Sequence, residues 1–410
     1  MQKCACPWQY ASVAHILSGR AETPTQSKIL RLVRDEGPLS RVELAGRLDV
    51  SRTTVAAEVG RLVDLGLAAD GGPAASRGGR RSTLVDLDAR LRFVGVDIGA
   101  TSVRVAVTDG RLGVLARASA PHTDIRQGPE KVLADVLTLV RKLLAEQGVD
   151  RPAGLGIGVP GPVDFHAGVP VSPPIMPGWD GYPVRDALSR ELGTPVLLDN
   201  DVNVMALGEQ HTGVARSARD FLFVKIGTGI GCGIVVDRHL YRGADGCAGD
   251  IGHIRVEHTG PVCACGNVGC LEAFFGGAAL SRDATAAARG SRSDILAALL
   301  EQHGELTAEQ VGLAIGRGDA VSLQLVRDGG RRVGSVLASM VSFFNPGLIV
   351  IGGGVSRLGH SLLAEIRSVV YRQSLPLATG NLPVVLSELG EDAGVVGAAR
   401  LISDAVYDAD

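Results

Sequence analysis

The sequence predicts an α/β protein with an N-terminal winged helix domain and a two-lobed, internally duplicated α/β body. Three observations indicate this architecture. Residues 25–88 contain three short amphipathic segments followed by a predicted hairpin. Two segments of the body, beginning at Phe93 and Phe221, repeat the order strand, glycine turn, strand. A chain of 410 residues is also too long for one ordinary core, which favours several domains.

The composition is that of a soluble globular protein, with 45% hydrophobic and 21% charged residues. Only 4% of the residues are aromatic, whereas 55 are glycine, which indicates many tight turns and close backbone approaches. Seven cysteines without framework spacing outside one cluster favour a reducing compartment. No apolar run reaches the about 18 residues of a membrane span. We therefore expect a cytoplasmic protein without a membrane partner.

The charge is unevenly distributed along the chain. Residues 1–88 contain 12 Lys and Arg against 10 Asp and Glu, or +2, and the total of −3 leaves −5 for the remainder. A mildly basic N-terminal region on an acidic body suggests a nucleic-acid partner at that end. Residues 1–24 make a poor secretory signal and are expected to form a flexible tail.

The predicted head, residues 25–88, contains a helix-turn-helix. Apolar residues recur at helical spacing in each of its three segments, and Ser51 is placed to cap the third helix. Val55, Val59 and Leu62 form the buried face of that helix. Its opposite face would enter the major groove of DNA. The residues that we expect to contact DNA from this helix are Ser51, Arg52, Thr53, Thr54 and Arg61.

A hairpin after the third helix would form the wing. Leu67 to Asp70 and Thr83 to Leu87 are expected to pair around the glycine-rich segment GGPAASRGGRR. Arg77, Arg80 and Arg81 lie in that segment and could reach phosphates or a minor groove. The alternative is a helical packing domain with a solvated face, but the clustered arginines favour a winged helix.

The body looks duplicated, because matching residues recur at a constant offset. The matched pairs, each 128 positions apart (224 − 96), are Val96 and Val224, Ile98 and Ile226, Gly99 and Gly227, Val107 and Val235, and Asp109 and Asp237. We expect one lobe over residues 91–203 with 391–410 and a second over 204–390. Ligands of such a body should bind where parallel strands end.

Several polar residues follow predicted strands at such positions. Asn200 and Asp201 could hydrogen-bond a sugar, with Asp201 as a general base, although both could simply cap the next helix. The segment Gly227 to Gly231 could cradle a phosphate through its N–H groups, or could be only a tight turn. Asp97 could hold a magnesium ion, or merely end its strand.

A candidate metal site lies in a single loop of the second lobe. His253, Cys263, Cys265 and Cys270 lie within eighteen residues, between several glycines. Three thiolates and one imidazole are a ligand set for tetrahedral zinc, and a closed set of four is typical of a structural site. The first cysteine pair is CxC rather than CxxC, so unrelated reduced thiols are the alternative. Glu272 follows the last thiol so closely that a metal at Cys270 would also position its carboxylate.

These motifs together resemble the ROK family of repressors and sugar kinases over about residues 25–404. The segments that carry the resemblance are DIGAT at 97, LDNDVNVMALGE at 198, GTGIGCGIV at 227, GDIGH at 249, CACGNVGCLE at 263 and IGGGVS at 351. The resemblance implies an actin/hexokinase-like, ribonuclease H-like fold for the body. Family members with a winged helix are typically sugar-responsive transcription factors, and those without one are typically kinases.

The resemblance also implies roles for individual residues. The implied sugar-binding residues are Asn200, Asp201, Asp250, His253 and Glu272, with Asp201 as catalytic base in a kinase. The implied phosphate or nucleotide residues are Asp97, Gly99, Thr101, Gly227, Thr228, Gly229 and Gly353, with Mg²⁺ and ATP as cofactors only in a kinase. The implied zinc ligands are His253, Cys263, Cys265 and Cys270. His253 can serve both metal and sugar, because imidazole has two ring nitrogens.

Two departures from the family pattern bear on function. Ala100 replaces a glycine of the phosphate loop, and its methyl group lies where backbone approaches the γ-phosphate of a kinase substrate. Asp250 replaces a glutamate of the sugar motif, so its carboxylate is drawn back by one methylene, roughly 1.5 Å. The first departure weakens the case for phosphoryl transfer, and the second argues against ordinary glucose recognition.

The favoured hypothesis is a sugar-responsive transcriptional regulator, most simply a repressor of carbohydrate-use genes. Its head would bind a palindromic operator as part of a homodimer or homotetramer, and its body would bind a sugar or sugar phosphate. The alternative is an ATP-dependent sugar kinase of the glucokinase type with an accessory DNA-binding head, because Asp97, Asp201 and the glycine loops are present.

Overall fold

A computed structural model describes residues 20–73 and 83–409. It divides into two compact units, one comprising residues 1–207 with 394–410 and the other residues 208–393. The fold is mixed α/β, as predicted from the sequence. None of the helices in the described ranges is long and apolar enough to cross a membrane.

The head contains three helices and a three-stranded sheet. Its elements are α1 (Pro24–Glu36), β1 (Leu39–Ser40), α2 (Arg41–Leu48), α3 (Arg52–Asp64), β2 (Ala68–Pro73) and β3 (Thr83–Leu87). Capping residues fix where two of its helices begin. Ser40 and Glu43 form a reciprocal capping box on α2. The Ser51 hydroxyl accepts the Thr54 N–H at the start of α3. The predicted inward residues of α3 are fully buried. The winged helix prediction is therefore confirmed.

The remainder of the first unit is an α/β lobe. Its elements are β4 (Phe93–Ile98), β5 (Val103–Thr108), β6 (Val114–Ala120), α4 (Pro129–Glu146), β7 (Gly154–Val159), β8 (Val163–Asp164), β9 (Val169–Pro170), α5 (Val184–Leu192) and β10 (Val196–Asn200). Five strands form one sheet in the order β10-β7-β4-β5-β6, in which β10, β7 and β4 are parallel. Helix α6 (Asp201–His211) starts directly after β10.

The second unit repeats this sheet and adds a helical layer. Its elements are β11 (Phe221–Ile226), β12 (Ile230–Val236), β13 (His239–Tyr241), α7 (Leu271–Phe275), α8 (Gly277–Arg289), α9 (Asp294–His303), α10 (Ala308–Gly316), α11 (Ala320–Phe344), β14 (Leu348–Gly352), α12 (His360–Gln373), α13 (Pro376–Thr379) and β15 (Val384–Leu386). The strand order β15-β14-β11-β12-β13, with β15, β14 and β11 parallel, reproduces the first sheet. The predicted duplication is therefore confirmed.

The last helix, α14 (Asp392–Tyr407), packs directly on the sheet of the first unit. Glycines make this approach possible, because a Cβ atom at Gly95 would lie 1.9 Å from the Val395 carbonyl oxygen. At Gly156 the corresponding distance to the Ala398 carbonyl oxygen is 1.8 Å. Any side chain at either position would force the helix off the sheet.

The head is joined to α14 by a buried ionic cluster. Arg34 of α1 has a side chain without solvent exposure, and its guanidinium donates to Asp404 Oδ1 at 2.7 Å and to Asp35 Oδ1 at 2.8 Å. Arg400 pairs with the same two carboxylates, at 2.9 Å to Asp404 and 3.3 Å to Asp35. The guanidinium of Arg34 also lies over the ring of Tyr407. The head and the lobe are therefore packed against each other through this ionic cluster.

Candidate functional site

The four predicted metal ligands come together in the second unit. Their ligand atoms all lie within 4.8 Å of one another. Cys263 Sγ is 3.4 Å from His253 Nδ1, and Cys265 Sγ is 3.8 Å from Cys270 Sγ. Zn–S bonds of 2.3 Å at tetrahedral angles separate ligand atoms by about 3.8 Å. The cluster therefore fits a tetrahedral zinc ion.

The loop that carries these ligands is shaped by tight turns. The Cys263 N–H donates to the Asn267 carbonyl at 2.8 Å, and Gly266, with φ +88°, lies inside this turn. Gly269, with φ +82°, has no room for a side chain, because a Cβ atom would lie 1.9 Å from the Glu257 carbonyl oxygen. Cys270 then precedes α7 as its N-cap residue. The last ligand is thereby fixed to the helix that carries Glu272.

His253 connects the metal cluster to a pair of carboxylates. Its Nδ1 faces the cysteines, while its Nε2 lies 3.9 Å from Asp250 Oδ1. Glu272 Oε2 accepts the Ile230 N–H at 3.1 Å. Burial raises the pKa of the Glu272 carboxyl, and the N–H of Ile230 opposes that shift. Metal on one nitrogen of His253 leaves the other free to bind a ligand hydroxyl beside Asp250.

The glycine turn after β11 contacts this acid, a link that the sequence pattern did not suggest. A Cβ atom at Gly229 would lie 2.3 Å from Glu272 Oε2. The same turn is held from the other side, where the Gly227 carbonyl accepts the Gly277 N–H at 2.6 Å. Thr228 at its tip is exposed. The glycine turn is therefore hydrogen-bonded to Glu272, which lies on the helix that begins directly after Cys270.

Gly353 begins the turn after β14 with φ +86°. A Cβ atom at this position would lie 2.5 Å from the Ile226 carbonyl oxygen at the end of β11. The turns after β11 and β14 therefore lie side by side, as expected for the carboxyl ends of adjacent parallel strands.

The first unit places the other predicted polar residues at the ends of its own strands. Asn200 Oδ1 accepts the Val202 N–H at 2.8 Å, and its Nδ2 donates to the Gly161 carbonyl at 2.8 Å. Asn200 therefore caps α6, the alternative considered from the sequence. Asp201 is 4% exposed in the first turn of α6. The buried side-chain Nδ2 of Asn203 donates to Asp199 Oδ1 at 2.8 Å, which stabilises this turn.

The loop between β4 and β5 contains the remaining predicted phosphate residues. Asp97 is 2% exposed, and its Oδ2 lies 4.0 Å from Arg104 Nη1 on the neighbouring strand. The Gly99 N–H donates to the Ser102 carbonyl at 2.7 Å, which closes a tight turn. Thr101 at the tip of that turn is exposed.

The predicted DNA-binding residues at and after the start of α3 are all accessible to solvent. All five side chains, those of Ser51, Arg52, Thr53, Thr54 and Arg61, are solvent-exposed. Arg61 Nη1 lies 3.4 Å from Glu58 Oε1, and the hydroxyls of Thr53 and Thr54 bond that of Ser51. Arg77, Arg80 and Arg81 lie outside the described residues.

Comparison with known proteins identifies both parts of the chain. Residues 22–68 match the model of the winged helix-turn-helix DNA-binding family, and residues 93–405 match that of the ROK family. The chain belongs to the ROK family. A glucokinase of Halalkalibacterium halodurans is 33% identical over 313 residues, covering 76% of this chain and 94% of the relative.

Two further proteins match nearly the whole chain. A xylose repressor of Caldicellulosiruptor bescii is 29% identical over 380 residues, covering 92% of this chain and 94% of the relative. The crystal structure of a ROK family transcriptional regulator, a homologue of the E. coli MLC protein, has a TM-score of 0.80 at 24% identity. It covers 97% of both chains, which supports the fold of the described residues.

Proposed function

We propose that this ROK protein is a sugar-responsive transcriptional regulator, most simply a repressor of carbohydrate-use genes. The observation that carries the proposal is the buried contact between the head and α14, in which Arg34 has no solvent-exposed side-chain surface. An accessory head on an enzyme needs no such contact. A head whose position must depend on the body does need one. The coverage of the xylose repressor, 92% of this chain, supports the same proposal.

The proposed effector is a sugar or sugar phosphate, and its proposed hydroxyl contacts in the second unit are Asp250, His253 and Glu272. Asn200 and Asp201 of the first unit are proposed as sugar-binding residues only because the family resemblance implies it. Zinc held by His253 and the three cysteines would fix His253 and Glu272 in place. Regulation requires that the sugar bind more tightly to one of the two conformational states of the protein. The proposed assembly on a palindromic operator is a homodimer or homotetramer.

DNA binding tests the regulator proposal directly. We expect Arg52→Ala together with Arg80→Ala to weaken binding to the chain's own upstream DNA by about tenfold or more, because phosphate and base-edge contacts are lost. The slope of log affinity against log salt should become shallower by about two. Electrophoretic mobility shift or fluorescence anisotropy would measure both quantities.

The matched control is Arg190→Ala together with Arg141→Ala, which removes two exposed arginines of the lobe. Equal affinity of the wild-type protein, the head variant and the control for upstream DNA would contradict the regulator proposal.

The sugar site is tested by Glu272→Gln. We expect sugar affinity to fall by about 10- to 100-fold, since a charged hydrogen-bond acceptor for ligand hydroxyls becomes neutral. Calorimetry with xylose, glucose and their phosphates would measure it, after thermal-shift screening has chosen the ligand. Glu305→Gln changes an exposed carboxylate of the same unit and should have no effect. Unchanged sugar affinity in Glu272→Gln, with zinc retained, would remove Glu272 from the site.

The second candidate is an ATP-dependent sugar kinase, favoured by the buried Asp97 and Asp201 and by the glycine turns. In that case Asp201 would accept the hydroxyl proton and Mg²⁺ with ATP would be the cofactors. A coupled assay with ATP, magnesium and a panel of sugars separates the two candidates. Turnover in the range of about 1 to 100 per second, lost in Asp201→Asn, would establish the kinase.

A further inference from the structure

A basic cavity of about 390 Å³ lies where the head meets its neighbouring lobe. Gly66 at the base of the wing contributes one wall, and the segment Asp88–Arg92 between head and lobe contributes another. The remaining walls are residues 151–153 before β7 and residues 194–195 before β10. A volume of this size is in the range of pockets that hold small metabolites.

The walls of this cavity are tied together by the backbone. The Ala153 N–H donates to the Arg92 carbonyl at 2.7 Å, and the Thr194 hydroxyl donates to the Pro152 carbonyl at 2.7 Å. On the side of the head, the Asp88 N–H donates to the Leu67 carbonyl at 3.2 Å. The cavity is therefore formed before any ligand binds, and both head and lobe are needed to form it.

Positive charge dominates the lining, which contains three arginines and one carboxylate. Asp88 is already paired with Arg90, which donates to it from Nε at 3.0 Å and from Nη2 at 2.7 Å. These hydrogen bonds hold the pKa of the Asp88 carboxyl below its usual range. Arg92 and Arg151 therefore leave two positive charges without a carboxylate partner among the cavity residues.

Arg92 has an unused donor as well as an unpaired charge. Its Nη1 donates to the carbonyls of Ala89 and Leu91, whereas its Nε is buried and has no hydrogen-bond partner in the described structure. A buried donor without an acceptor is unfavourable. The planar guanidinium groups of Arg92 and Arg151 match phosphate geometry. Movement of the Arg92 side chain would also bring its buried Nε to an oxyanion in the cavity.

The cavity is separate from the proposed sugar site. Arg92, Ala153 and Pro195 immediately precede β4, β7 and β10, so the cavity lies at the amino ends of these parallel strands. Asp97 and Asn200 lie at their carboxyl ends. Strands of five or six residues at 3.3 Å per residue place the cavity about 17–20 Å from Asp97 and Asn200.

We propose that this cavity is a second effector site, which binds a phosphate-bearing small molecule. Two unpaired positive charges match the dianionic charge of a phosphate monoester. Because Gly66 belongs to the head and the remaining walls to the lobe and its connecting segment, the bound ligand stabilises the docked position of the head. This inference goes beyond the response to sugar and does not depend on it.

The test uses the full-length protein with inorganic phosphate and pyrophosphate as probes, at ionic strength held constant with sodium chloride. We expect saturable thermal stabilisation of the wild-type protein. Arg151→Gln should weaken it by about tenfold or more, since one charged donor is lost, and Arg151→Lys should retain part of the effect. Arg151 is exposed, so neither change should affect folding.

Arg190→Gln is the control, because it removes an exposed arginine of the same lobe that does not line the cavity. Any of four outcomes would overturn the proposal. The first is that phosphate gives the wild-type protein no saturable thermal stabilisation. The second is that Arg151→Gln and Arg190→Gln weaken this stabilisation equally. The third is that Arg151→Gln binds phosphate as the wild-type protein does. Weaker DNA binding by Arg151→Gln without a change in phosphate binding would also overturn it, and would assign these arginines to the DNA backbone.

Discussion

Cys265→Ser is expected to abolish metal binding, to release the loop from His253 to Cys270, and to lower sugar affinity by about 100-fold or more. Apart from its backbone hydrogen bonds and turns, the loop has a small apolar support. Of its ligands only Cys263 and Cys270 are buried, and they pack with Ala273 in a cluster separate from the main core of the unit. A structural zinc site contributes on the order of 10 kcal/mol to local folding. The main core of the second unit should remain folded.

Metal content, hydrogen exchange and calorimetry with the effector sugar would check this expectation, and chelation of the wild-type protein should reproduce it. Cys247→Ser is the matched control, because Cys247 is an exposed cysteine of the same unit outside the cluster. A metal-free protein that still protects the amides of residues 253–270 from exchange and still binds the sugar would contradict the role of zinc.

Arg34→Met is expected to detach the head from α14 and to lower the free energy of unfolding by about 3 kcal/mol. Removing one member of a buried ionic cluster leaves its partners desolvated, and Asp404 keeps its ion pair with Arg400 but loses the one with Arg34. Chemical denaturation measures the change in stability, and limited proteolysis near residues 74–92 measures release of the head. Affinity for DNA should fall as well, because the heads of an oligomer are no longer held at a fixed spacing.

Arg41→Met serves as the control, since Arg41 pairs with Asp70 on the surface of the same head, where such pairs contribute at most about 1 kcal/mol. Equal stability loss in the two variants would contradict a special role for Arg34.

The same cluster gives the contact a defined pH dependence. Burial alone would raise the pKa of the Asp404 carboxyl, but Arg400 and Arg34 hold it well below its usual range. The pKa of Asp35 is lowered for the same reason. Because the folded-state pKa values are depressed, this stabilisation is complete above the unfolded value of about 3.9 and is lost as pH falls below it. The pH dependence of unfolding below about pH 4 should therefore be weaker in Arg34→Met.

Features encoded by nearby residues could be predicted from the sequence. Ser51 caps α3 and the inward residues of that helix are buried, because capping and helical periodicity act within a few positions. The clustering of His253, Cys263, Cys265 and Cys270 was predictable for a similar reason, since these four candidate ligands lie in one loop. The duplicated sheets were visible because the repeated residues keep a constant offset.

Contacts between distant segments were not predictable in this way. Arg34 and Asp404 are 370 positions apart, and either would be read alone as a solvated charge. Gly229 looked like part of a phosphate turn, and nothing in its neighbourhood indicated that it makes room for Glu272. The basic cavity could not be predicted from the sequence either, because Arg92 and Arg151 become neighbours only when β4 and β7 pair.

The position of α14 also has a consequence for biosynthesis. Helix α1 ends at Glu36 and α14 begins at Asp392, 356 residues later (392 − 36). At roughly 5–20 residues per second, a ribosome needs between about 20 and 70 s to make the intervening chain. During that interval the head can fold through its own helices and sheet, but Arg34 has no partner on the unfinished lobe. The nascent head is thus exposed to chaperones and proteases in an undocked form, and a stop codon before residue 392 would leave it permanently undocked.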